Sequence, residues 1–105
     1  DLVIVTAISG GGPAYIFYFI DTMIKSAVEL GLDKKNAKKL VIQTVIGSGK
    51  AGKSIDNFAE QISKVASKGG TTEAAINLLN KKNLDVIFTQ AIKAAYSKSK
   101  EISLP

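Results

Sequence analysis

Leu40-Val41-Ile42-Gln43-Thr44-Val45-Ile46-Gly47-Ser48-Gly49-Lys50-Ala51-Gly52-Lys53-Ser54 can be read in two ways, and the choice decides the fold. Gly47 to Ser54 satisfies the pattern GxxxxGK[ST] of a phosphate-binding loop, and Leu40 to Ile46 can be written as the buried strand that such a loop follows. In a nucleotide hydrolase the loop N–H groups wrap the phosphates, the lysine neutralises them and the hydroxyl holds magnesium. Read the other way, Ala37, Leu40, Val41, Thr44, Val45, Ser48 and Ala51 recur at helical spacing and form the inner stripe of a helix from Lys34 to about Lys53. The second reading is favoured. No later apolar strand ends in an aspartate suited to magnesium, and a nucleotide-hydrolase core rarely fits in the residues that remain. The glycines then sit inside a helix, where each costs about 1 kcal/mol against alanine unless close packing compensates.

Outward from this helix the chain reads as all-α, a bundle of about five helices in one domain over residues 1–105. Leu2 to Val5 looks like the end of a strand or a linker, and Ser9-Gly10-Gly11-Gly12-Pro13 breaks the chain. Pro13 suits the first turn of a helix from Ala14 to Leu30, in which Ile16, Ile20, Met23, Ala27 and Leu30 form the inner face. Its first two turns, Tyr15 to Ile20, are apolar on every side, which fits burial in another subunit. Gly31 closes that helix, and Asp33 caps the next. Asp56 is placed to cap a third helix, about Asn57 to Val65, with Phe58, Ile62 and Val65 inward. The Gly69-Gly70 turn leads into a fourth, about Thr72 to Asn80, with Ala75, Ile76 and Leu79 inward. A fifth runs from about Leu84 to Ile102 with Ile87, Ala91, Ala94, Ala95 and Ser99 on one face.

Composition narrows the function classes. A chain of 105 residues supports one core. At 46% hydrophobic it lies toward the apolar end of the usual range, which points to a partner. The run Ala14 to Ile20 stops at Asp21, so no membrane span is expected. Neither a signal peptide nor a cysteine is present, and a cytoplasmic setting is the default. The net charge of +5 comes from lysines alone, scattered along the chain without the arginines that read phosphates and guanines, so nucleic acid is not an expected partner.

Candidate chemistry is sparse. With no histidine or cysteine, and with carboxylates on polar faces and helix starts, no metal site is visible and a self-contained acid–base site is not expected. Catalysis would need a cofactor supplied from elsewhere. Gly10-Gly11-Gly12 invites a dinucleotide reading, but no third glycine follows at Tyr15, and a flexible entry to the first helix accounts for the run. Ser67-Lys68-Gly69-Gly70-Thr71-Thr72 is different. Two glycines allow several N–H groups to point into one concavity just before a helix, where a carboxylate or phosphate is favoured. An ordinary helix-start turn would use the same residues, and composition does not choose between the two.

Two strings taken together resemble a known family. Thr6-Ala7-Ile8-Ser9-Gly10-Gly11-Gly12-Pro13-Ala14-Tyr15 and Ser67-Lys68-Gly69-Gly70-Thr71-Thr72 look like the signatures of the C-terminal domain of pyrroline-5-carboxylate reductase, usually TALSGSGPAY and SPGGTT. Gln43-Thr44-Val45-Ile46-Gly47 is similar to the family's QTVLG helix, and Ala91 to Ile102 to its closing helix. Gly11 stands where the family usually has serine and Lys68 where it has proline. The apolar spacing before the turn, Ile62 to Val65, is one residue short.

The resemblance implies a helical bundle that interlocks with a second copy as a homodimer or higher homo-oligomer, beside a Rossmann domain that would precede Asp1. It implies reduction of 1-pyrroline-5-carboxylate to L-proline, the last step of proline synthesis, with a hydride from NADPH or NADH held mainly by that other domain. Ser67, Gly69, Gly70 and Thr71 would present backbone groups to the substrate carboxylate. Thr72, the catalytic candidate, would bring its hydroxyl near the ring nitrogen. A helical interaction module without chemistry is the alternative, with a nucleotide-binding loop protein third.

Overall fold

Asp33 begins the corner between two long helices. Its carboxylate accepts the backbone N–H of Asn36 at 3.1 Å and the side-chain N–H of Asn36 at 2.6 Å, satisfying a donor that the first turn of a helix leaves open. These bonds hold the Asp33 carboxyl below its ordinary value of 3.8, the backbone bond from Asn36 contributing most. The helix it starts is Lys34–Gly52, and the one before it is Gly12–Glu29 with Pro13 in its first turn. Between them Gly31 takes φ +118°, Gly31 N–H donates to the Val28 carbonyl and Leu32 N–H to the Ala27 carbonyl. That pair of bonds is the Schellman ending, and it needs a residue without a side-chain penalty at positive φ.

The computed structural model describes residues 1–67 and 70–103, and these fall into two compact units. The elements are α1 (Leu2–Val5), a five-residue π turn (Thr6–Gly10), α2 (Gly12–Glu29), α3 (Lys34–Gly52), α4 (Phe58–Ala66), α5 (Thr71–Lys81) and α6 (Leu84–Ser103). No strand occurs among the described residues. One unit, Gly11–Ile55, is the α2–α3 hairpin, whose buried residues Ala37 and Val41 both lie on α3. The other unit joins Asp1–Gly10 to Asp56–Pro105: α1 and the π turn lie on α6, α6 on α5, and α5 on α4. Its buried residues are Ala7 and Ala66.

Several expectations change. Leu2 to Gly10 is helical, not strand or linker. Asp1 caps α1 by accepting the Val3 N–H at 2.7 Å, and the Thr6 and Ser9 hydroxyls donate to the carbonyls of Leu2 and Val5 at 2.7 and 2.9 Å. Hydroxyls bonded one turn back bend and loosen a helix, and here the loosened stretch is the π turn. The glycine run therefore follows a helical segment, and Leu2 to Ile20 carries no charge. By length and composition Leu2–Glu29 is long and apolar enough to cross a membrane, which corrects the expectation that Asp21 leaves no such stretch. The cap of α4 is Asn57, accepting the Glu60 N–H at 3.0 Å, where Asp56 was expected. The phosphate-loop string lies inside α3 through Gly52, its backbone committed to the helix ladder.

The largest correction concerns burial. α2 has no buried residue: Ile16 and Met23 of its expected inner face are about half exposed, Leu30 is 89% exposed, and Phe17 is 65% exposed. Phe58, Ile62 and Val65 on α4, Leu79 on α5 and Ile87 on α6 are likewise exposed. Their spacing marks apolar faces, and among the described residues these faces remain exposed.

Two substitutions test the local geometry. Asp33→Ala is expected to lower the melting temperature at neutral pH. Because folding depresses the carboxyl, its contribution is complete above its ordinary value and is lost as pH falls through the depressed folded value. A melting series should therefore show the mutant and parent converging below pH 3.8. Gly70, at φ +75° and ψ −35°, has a backbone that alanine adopts only under strain. Gly70→Ala is expected to cost about 1–3 kcal/mol, read as a lower urea midpoint at unchanged slope.

Candidate functional site

The start of α5 lacks a side-chain cap. Gly70 occupies the cap position and supplies no side chain, so no side-chain oxygen caps the helix. The first bond into the turn is Ala74 N–H to the Gly70 carbonyl at 3.0 Å. The N–H groups of Thr71, Thr72 and Glu73 therefore project from the helix start, where the helix dipole is positive. An oxyanion is suited to that position. Thr71 is exposed and Thr72 half-buried. Glu73 adds a carboxylate to the same first turn, which itself favours the dipole and competes with an incoming anion.

On the other side of the turn, Ser67 ends α4. Its N–H donates to the Ser63 carbonyl at 3.0 Å and its hydroxyl to the Lys64 carbonyl at 3.1 Å. Both the N–H and the hydroxyl of Ser67 are thus engaged in the α4 ending. The Lys64 ammonium lies 3.7 Å from the Glu60 carboxylate on the exposed face of α4. Gly69 and Lys68, both named in the sequence reading of the turn, lie outside the described residues.

The other signature string divides at the boundary of the units. Thr6–Gly10 forms the π turn in the unit that holds Ser67 and Gly70–Thr72, while Gly11–Tyr15 opens α2 in the hairpin. The glycine at 11 has a local reason. A side chain starting there would meet the Tyr15 hydroxyl at 2.5 Å and its ring carbon at 2.8 Å, so glycine at 11 and this seating of the tyrosine ring go together. Sequence reasoning missed the π turn. Its available signal was the pair of hydroxyls Thr6 and Ser9, each four residues after a carbonyl it could bond.

Neither glycine string builds a dinucleotide cradle. Such a cradle is a strand, a glycine turn and a helix, and the described residues hold no strand. The residues present therefore do not fit a nicotinamide dinucleotide by themselves. Among the described residues no three His, Cys, Asp or Glu side chains gather as metal ligands.

The family profile described as pyrroline-5-carboxylate reductase dimerisation matches residues 1–102. The chain is 36% identical over 100 residues to a pyrroline-5-carboxylate reductase of Staphylococcus haemolyticus, covering 94% of this chain and 37% of that relative. It is 38% identical over 99 residues to one from Synechocystis, covering 93% of this chain and 37% of the relative. Among solved structures, the Plasmodium falciparum pyrroline carboxylate reductase with NADP bound superposes with a TM-score of 0.91 at 36% identity, over 99% of this chain and 42% of that one. The Coxiella burnetii pyrroline-5-carboxylate reductase gives 0.89 at 38% identity, over 98% of this chain and 38% of that one. The chain thus spans a little over a third of the length of the curated relatives it matches. With the paired signature strings, the helical architecture and a profile match along nearly its whole length, the chain belongs to the pyrroline-5-carboxylate reductase family, as its dimerisation domain.

Proposed function

We propose that this chain is the dimerising and substrate-holding part of an enzyme that reduces 1-pyrroline-5-carboxylate to L-proline with NADPH or NADH. The observation that carries the dimerising role is the set of large apolar side chains exposed in each unit, Phe17, Leu30 and Leu40 in the hairpin and Phe58, Ile62 and Ile87 in the other. A second copy of this chain over the apolar faces of α2, α4 and α6 gives them the core that one copy lacks.

Within that assembly the turn before α5 holds the substrate. The open N–H groups of Thr71 and Thr72 are donors for the carboxylate, and Gly70 lets the backbone approach it without a side chain. The Thr72 hydroxyl, half-buried one residue into the helix, is the group assigned to the ring nitrogen. The neutral first-turn donors orient the acid end of the ring, and the dipole favours its charge over a neutral analogue. The hydride donor is assigned to a Rossmann domain outside this chain, in keeping with the lack of a cradle here. We assign the apolar length of Leu2–Glu29 to contact with a second copy and not with lipid, and the assembly to the cytoplasm.

Titration of L-proline into the full-length protein tests the site. Thr72→Ala is expected to weaken binding roughly tenfold to a hundredfold, the loss of a hydrogen bond to a charged partner, and to lower turnover at least as much. Unchanged binding and turnover would remove Thr72 from the site. Sedimentation velocity tests the assembly, with a dimer expected across the micromolar range. A monomer there would sink the dimerising role.

A further inference from the structure

The fourteen lysines are spread along the chain, but the nine acids are not spread with them. Outside α3 nine lysines balance nine acids, whereas α3 has five lysines and no acid, so the net charge of +5 resides on that one helix. Four of the five, Lys34, Lys35, Lys38 and Lys39, lie in its first two turns, all exposed. They fan over roughly 140° of the helix, from about 60° beyond the buried Ala37 to the side opposite it. Ion pairs among the described residues engage Lys25, Lys64 and Lys98 with acids of their own helices, and none engages these four. The placement works against the helix. Its first turn is the positive end of the dipole, where lysines are unfavourable, and Lys34 with Lys38 and Lys35 with Lys39 are like charges one turn apart. Asp33 offsets only part of this as the cap. Four charges held against the stability of their own helix point to a partner that neutralises them.

We infer that the Lys34–Lys35–Lys38–Lys39 face of α3 docks a carboxylate-rich segment of another protein. Charge complementarity requires a polyanion, and the residue types select among polyanions. Nucleic acid is read by arginine forks and by aromatic stacking, but the chain has no arginine and α3 no aromatic residue. A lipid surface is held by basic residues on a helix that also presents large apolar groups, whereas only Asn36 and the buried Ala37 stand between these lysines. Compact ammonium groups on flexible stems suit carboxylates presented one at a time, and the two lysine rows repeat at one helical turn, about 5.4 Å. The inference stands apart from the turn before α5 and from the reading of the substrate.

The test titrates the full-length protein into a fluorescein-labelled peptide of ten glutamates at low salt and follows anisotropy. Lys35→Gln with Lys39→Gln is expected to weaken binding roughly tenfold, about threefold for each exposed charge pair lost. Lys81→Gln with Lys82→Gln removes the same charge from another exposed site and is expected to change binding less than about twofold. Added salt is expected to weaken the parent's binding progressively. The same Lys35→Gln, Lys39→Gln protein is expected to melt higher than the parent, because the substitutions relieve the dipole and the like-charge rows. A lower melting temperature would make the lysines supports of the helix and overturn the docking role. So would a parent that does not bind the peptide, or equal losses from the two double variants. Tighter binding of decauridylate, or of vesicles carrying phosphatidylserine, than of the glutamate peptide overturns the carboxylate-rich occupant.

Discussion

Ala37 and Val41 are the buried residues of the α2–α3 hairpin, and they are small. Burial of apolar surface is the main favourable term in folding, at about 25 cal/mol per Å², and an alanine and a valine contribute little of it. The other unit is no richer, with Ala7 and Ala66 as its buried residues among those described. Large side chains such as Phe17, Leu30, Leu40 and Ile46 remain in contact with water in a single copy. The constraint that governs the molecule is therefore the large apolar surface that its described helices leave exposed. Family membership gives that constraint a natural resolution, since the matched domain is described by dimerisation.

Much of the fold was legible because helix boundaries are written in local chemistry. Gly31 and Asp33 announced an ending and a beginning, and both bonds sit where the residue types implied. The competing phosphate-loop reading of Gly47 to Ser54 fell to the stripe upstream of it, a case in which periodicity over a longer window outweighs a short pattern. Less legible was the first segment. Leu2 to Val5 is apolar and mostly β-branched, which resembles strand, and the following glycines resemble a break. The segment is helical instead, capped by Asp1 and loosened into a π turn where the Thr6 and Ser9 hydroxyls bond backward. Nor could spacing reveal burial, because a period identifies which residues share a face and is silent about what lies opposite.

The candidate site was legible in a different way. The residue types around Gly70 left an anion cradle and an ordinary helix-start turn equally open, and the structure adds a positive φ at Gly70 and a first turn without a side-chain cap. It also adds what residue types did not convey: Ser67 is engaged in closing α4, and Glu73 shares the turn with the proposed ligand. Selectivity at such a place comes from matching charge against charge already present.

The Schellman ending at Gly31 and the cap at Asp33 carry a consequence for how the molecule forms. Every bond in that corner joins residues within five positions of one another. Local closure of this kind is fast and independent of concentration, so the corner between α2 and α3 forms as a first-order step within one chain.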